Sequence, residues 1–122
     1  MSETPKRIQE RRRSVRIIET LPFQIGHQGF EIETRTLNLS VHGAMCVVAR
    51  EIPMMTQLGV VLILPAGRAS RHKKVRIRGV VVRKEKDPAS GKFFLAIYFA
   101  DMKPEDRKTL EKFIQSRLNV TP

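Results

Sequence analysis

Two short patterns in the 122-residue chain carry residue types suited to holding an anion. Arg12-Arg13-Ser14-Val15-Arg16 is an RxxxR pattern, with a further arginine, Arg11, just before it. A guanidinium can fork onto phosphate oxygens, fork onto the O6 and N7 edge of guanine, and stack on a purine plane, whereas an ammonium supplies only charge. Arg12 and Arg16 are four apart, so they project the same way from a helix or a strand and can close on one ligand from one side. Alone the pattern is weakly specific: with 14 arginines, about one or two matches are expected by chance, and Arg7 to Arg11 is a second. Asn38-Leu39-Ser40-Val41-His42-Gly43 is an NxSxxG, and only about 0.01 chance matches to [DN]xSxxG are expected in a chain of this length. Asn38 brings an amide that both donates and accepts, and Ser40 a hydroxyl for phosphate or base. Gly43 either lets the backbone approach a ligand or adopts a positive φ in the turn. His42 is a further candidate contact, by stacking or through a phosphate.

Catalysis finds little to work with. Ser40 and His42 lie two apart on one face with no third group to orient the imidazole, and no nucleophile elbow surrounds Ser40. His27, His42 and His72 are scattered and accompany a single cysteine, which excludes paired metal-ligand spacing and an internal disulfide. Cys46 sits in the run Ala44-Met45-Cys46-Val47-Val48 and reads as a small buried hydrophobe, and Met54 and Met55 read as gap-fillers. The chain is therefore expected to be a non-enzyme without metal or cofactor.

The elements that position these residues are mostly strands. Short segments rich in Val, Ile, Phe and Thr alternate with turn residues, the spacing of an antiparallel barrel or sandwich. Six strands are expected: Val15 to Ile25 with a bend at Pro22, Phe30 to Leu37, Ala44 to Ala49, Leu58 to Leu64, Lys74 to Lys84 and Lys92 to Phe99. In the second, Phe30, Ile32, Thr34 and Thr36 share one side and Glu31, Glu33 and Arg35 the other. Gly26-His27-Gln28-Gly29 and Asp87-Pro88-Ala89-Ser90-Gly91 read as hairpin loops. After Asp101 the period changes: Pro104 suits a first helical position, and Leu110, Phe113, Ile114 and Leu118 form the apolar stripe of one helix. Residues 1–10 read as a flexible N-terminal arm and 11–120 as one domain. The chain carries 23 Lys plus Arg against 12 Asp plus Glu, a net +11 that favours an anionic partner. Residues 67–84 hold eight basic and no acidic side chains, with Arg76 and Arg78 expected on the outer face of the fifth strand. No apolar run approaches the roughly 20 residues of a membrane span and the start has no signal-peptide character, so the expected location is cytoplasmic.

The arginine-rich entry, the NxSxxG turn leading into Gly43-Ala44-Met45-Cys46-Val47, and the strands Arg78-Gly79-Val80-Val81-Val82-Arg83 and Phe94-Leu95-Ala96-Ile97-Tyr98-Phe99 together resemble the PilZ family of cyclic di-GMP receptors. The resemblance runs from about residue 9 to 118. It implies a mainly β fold, a six-stranded antiparallel β-barrel with a C-terminal α-helix, and a cyclic dinucleotide held on the barrel surface. By the same resemblance Arg11, Arg12, Arg16, Asn38, Ser40 and Gly43 are the ligand-binding residues, with Asn38 using its amide on a guanine edge. His42 departs from the commoner family pattern, which has a small residue there. The output is expected to pass, through ordering of the arm, to an unidentified effector protein of motility, adhesion or exopolysaccharide control. One dinucleotide or an intercalated pair would both suit this many arginines. The alternative is a small basic barrel that binds nucleic acid non-specifically. With six Phe, one Tyr, no Trp and no interleaved aromatic pattern, stacking platforms for it are few.

Overall fold

The computed structural model describes residues 15–65 and 72–118. Within them lie six strands, β1 (Pro22–His27), β2 (Phe30–Leu39), β3 (Gly43–Val48), β4 (Gln57–Leu64), β5 (Lys73–Lys86) and β6 (Phe93–Met102), followed by one helix, α1 (Pro104–Leu118). All pairings are antiparallel, and the order β1-β2-β3-β6-β5-β4 closes on itself through β1 and β4. Closure leaves no strand with an unpaired edge. The expected six-stranded barrel with a C-terminal helix is the observed architecture.

The period-two patterns explain which face each strand buries. Leu58, Val60, Leu62 and Leu64 of β4 point inward, as do Val75, Ile77 and Val81 of β5, where they meet Phe23, Ile25, Leu95 and Ile97. Lys74, Arg76 and Arg78 lie between the inward residues of β5 and are exposed, as their alternation predicts. Ile32, Thr34 and Thr36 turn toward the interior of β2, while Glu31, Glu33 and Arg35 are exposed. Phe30, expected with the inward set, is exposed at the strand's end beneath the Arg50 guanidinium, 3.7 Å from its ring centroid. The β1–β2 turn is tighter than the four-residue loop expected. Gln28 and Gly29 alone connect the strands, with φ of 49° and 83°, the mirror-image turn whose twist matches that of a hairpin.

The expected first strand divides at Pro22. Proline has no N–H, so it opens β1 rather than continuing a ladder. Residues 15–21 form a strap across β2. Ile17 and Leu39 exchange two backbone hydrogen bonds of 2.8 and 2.9 Å, and both side chains are buried. Leu21 N–H donates to the Thr36 hydroxyl at 3.0 Å, Thr36 N–H donates to the Leu21 carbonyl, and the Thr36 hydroxyl donates to the Glu19 carbonyl. At the other side, Arg117 Nε of α1 meets the Glu19 carboxylate at 2.7 Å.

The helix begins at Pro104 with Glu105 and Asp106 in its first turn, where negative charge opposes the helix dipole. Leu110, Phe113 and Ile114 join the barrel core, whereas Leu118, expected on the same stripe, is exposed at the helix end. The expected arm 1–10, Arg11, Arg12 and the start of the basic block, through residue 71, lie outside the described residues.

Candidate functional site

The site begins with an irregularity in β2. Strict alternation from Ile32, Thr34 and Thr36 would turn Asn38 into the core, but a bulge between Thr36 and Asn38 shifts the pairing with β3 by one residue. Asn38 then pairs with Met45 on the outer face, and Leu39 takes the buried place. The bulge thus presents an amide to solvent at the end of a strand in which Ile32, Thr34 and Thr36 face inward.

Residues 40–43 form a tight turn around the Ser40 hydroxyl. Ser40 N–H donates to the Gly43 carbonyl at 2.8 Å; Ser40 Oγ donates to the same carbonyl at 3.3 Å and accepts from His42 N–H and Gly43 N–H, each at 3.2 Å. Ser40 is 1% exposed, so its hydroxyl serves the turn and does not face solvent. Gly43 is buried, and its φ is not among the positive ones. A Cβ there would stand 2.5 Å from the Ile97 carbonyl oxygen and 3.5 Å from Tyr98 Cα, so the close approach that requires glycine is to β6. His42 is exposed, and its carbonyl accepts from Phe99 N–H at 2.7 Å, which fixes the turn to β6.

Arg16 meets this corner from the strap. Its Nη1 donates to Asn38 Oδ1 at 2.8 Å. The hydrogen bonds of the next residue, Ile17, to Leu39 hold the Arg16 backbone beside the turn. Arg16 therefore belongs to an anchored stretch and not to a mobile arm. The RxxxR root and the NxSxxG turn, separated in sequence by more than twenty residues, converge on one exposed corner. Sequence reading missed the anchors that bring them together, Ile17 and Thr36; the only signal was an apolar residue immediately after the basic run.

The cysteine and the two adjacent methionines lie in opposite environments. Cys46 is fully buried, and desolvation pushes its thiol up to about 12, so it stays protonated and inert. Met54 and Met55, expected to fill gaps, are exposed in the β3–β4 connection, which is tied to β5 by Met55 N–H on the Val81 carbonyl. No group of three or more His, Cys, Asp or Glu converges among the described residues, and no helix there is long and apolar enough to cross a membrane.

A model of the PilZ domain family matches residues 10–116. Among solved structures the chain is similar to the Bacillus subtilis inhibitor of motility MotI/DgrA, with 26% identity, a TM-score of 0.77, and 92% of this chain covered against 54% of that one. The chain thus spans about half the length of that protein. It is also similar in fold to the PilZ domain of Escherichia coli YcgR with c-di-GMP, at 17% identity, a TM-score of 0.61, and coverage of 87% and 90%. The PilZ domain of CeSA from a cellulose-synthesizing bacterium aligns at 14% identity and a TM-score of 0.61, covering 87% of this chain and all of that one. No protein of curated function matches by sequence. A closed six-stranded barrel, a strap that sets Arg16 on an NxSxxG turn and a family match over nearly the whole chain agree, and the chain belongs to the PilZ domain family.

Proposed function

We propose that the chain binds cyclic di-GMP at the strap–turn corner, performs no chemistry on it, and passes the bound state to a partner protein. The observation that carries this reading is the 2.8 Å hydrogen bond from Arg16 to Asn38, because it puts a guanidinium and a base-reading amide at one exposed point. Family membership and the similarity to a PilZ domain described with c-di-GMP support it.

Each residue has a physical role in the proposal. Arg16 forks onto a phosphate or a guanine edge, and Arg11 and Arg12, a few residues upstream, supply further guanidinium groups. Asn38 reads a guanine edge. As a neutral amide it accepts from Arg16 without an ion pair and places no negative charge beside the phosphates, so a dianion can draw Arg16 away at little cost. Ser40 and Gly43 act by shaping the turn that holds Asn38 and His42, and His42 stands at the rim as a further contact. Binding ties the residues that carry Arg11 and Arg12 to the barrel, and the altered face is what the partner reads. Machinery for motility, adhesion or exopolysaccharide is the proposed destination, motility being the role named for the similar Bacillus protein.

Calorimetric titration with cyclic di-GMP tests the proposal. Arg12→Ala and Arg16→Ala should each weaken binding by at least about 1.5 kcal/mol, as expected for charge-assisted contacts to a desolvated anion. Equal binding by wild type and both variants, or no binding at all, refutes it. One observation favours a second reading: Lys74, Arg76 and Arg78 project outward at alternate positions of β5, a stripe that could neutralise a nucleic-acid backbone. That reading predicts affinity for single-stranded RNA that falls steeply with salt and is unchanged in Arg16→Ala.

A further inference from the structure

The outer face of β3, β6 and β5 beside the motif turn carries an exposed aromatic ring that the reading above does not use. Gly43, the last residue of the NxSxxG turn, pairs in register with Tyr98 of β6, and Tyr98 pairs on its other side with Val80 of β5. Residues 97 and 99 are buried, so Tyr98 points outward, and it is 50% exposed. Its two row neighbours leave it open: Gly43 has no side chain, and Val80 is short and only partly buried. Two residue pairs along, the next outward row is Asn38, Met45 and Ala96, running from β2 through β3 to β6. Tyr98 therefore shares one outer face of the sheet with the Arg16–Asn38 corner, with Met45 and Ala96 between them. Two strand spacings and two residue steps separate the two places, about 12 Å by sheet geometry.

We infer that Tyr98 is the stacking platform for one guanine of the bound dinucleotide. The inference rests on the cyclic di-GMP reading and adds a residue to it. A cyclic dinucleotide carries its bases on either side of a phosphate ring, so a phosphate held at Arg16 sets a base down some distance along the surface. An exposed phenol ring there offers a π-face, and stacking of a base on an aromatic side chain is a contact that no charged residue of the corner supplies. The structural rival is local: an aromatic residue can cover a glycine across a strand pair and stabilise the sheet without touching any ligand. The two differ in what they predict for binding.

Tyr98 is the one tyrosine of the chain, and there is no tryptophan, so its ring resonances in a proton NMR spectrum are unambiguous. Titration of the full chain with cyclic di-GMP should move those resonances upfield as a purine ring stacks on them. In calorimetry, Tyr98→Ala should bind roughly tenfold more weakly, the loss typical of removing one base-stacking ring. Tyr98→Phe should bind within about twofold of wild type, because the π-face is retained. A Tyr98→Ala variant that melts at a lower temperature but binds as tightly as wild type, while Arg16→Ala fails to bind, overturns the role of Tyr98 and leaves the receptor reading standing. Unmoved tyrosine resonances at saturating ligand overturn it as well. Absence of binding by the wild type overturns both.

Discussion

A methyl group added at Gly43 would stand 2.5 Å from the carbonyl oxygen of Ile97, and neither strand can yield without breaking the β3–β6 ladder. Gly43→Ala should therefore lower stability by about 1–3 kcal/mol, the usual cost of overpacking, read from thermal melts by circular dichroism. Removing the hydroxyl at Ser40 leaves His42 N–H and Gly43 N–H without their acceptor, and Ser40→Ala should cost about 1–2 kcal/mol in urea unfolding. Both residues were legible as members of a specific pattern, yet their physical work was not. The sequence left Gly43 between an approach to ligand and a positive φ; the structure shows an approach to β6, a strand far along the chain whose register no local pattern encodes. Cys46, by contrast, was readable from its apolar neighbours. Its buried thiol should not react with a disulfide reagent at pH 8 in the native state and should react on unfolding. Its folded pKa is raised from 9.0 to about 12, so its contribution to stability is fully present below about pH 9 and is lost as pH rises toward about 12. Cys46→Ala should lose less stability over that window than wild type.

At the level of elements, the strap 15–21 decides where Arg16 points. Beside the backbone bonds of Ile17 with Leu39, its grip on β2 uses one buried hydroxyl: Thr36 accepts from Leu21 N–H and donates to the Glu19 carbonyl. Thr36→Val keeps the shape and removes both bonds, leaving a buried N–H unpaired at a cost of about 1–3 kcal/mol. Urea unfolding should show that loss, and calorimetry should show weakened cyclic di-GMP binding although no ligand-contacting residue has changed. Undiminished affinity would mean that the strap does not position Arg16. Alternation made β2 and β5 readable, and the helix was readable from Pro104 and its apolar spacing. The bulge that aims Asn38 outward was not, because it arises from the pairing of β2 with β3 and of Ile17 with Leu39 rather than from any residue preference. Val15 to Leu21 looked like strand for a sound reason, its β-branched content, but Pro22 interrupts the ladder and only Ile17 finds a bridge.

For the whole molecule, the count of strands and the terminal helix followed from periodicity, while the closure of β1 on β4 and the insertion of β6 between β3 and β5 did not, since hairpin logic orders only sequential neighbours. That closure brings the motif turn, the strap and Tyr98 onto one side of the barrel, and it leaves Lys74 and Arg76 on the β5 stretch that pairs with β4. The net charge of +11 raises the encounter rate with any polyanion, so affinity alone is a weak discriminator and the place of binding is the informative quantity. The most direct measurement is a crystal structure of the full chain with cyclic di-GMP. A phosphate should lie within hydrogen-bonding distance of the Arg16 guanidinium, with a guanine edge on the Asn38 amide. A nucleotide bound along β5 instead, with Arg16 still donating to Asn38, would contradict the account.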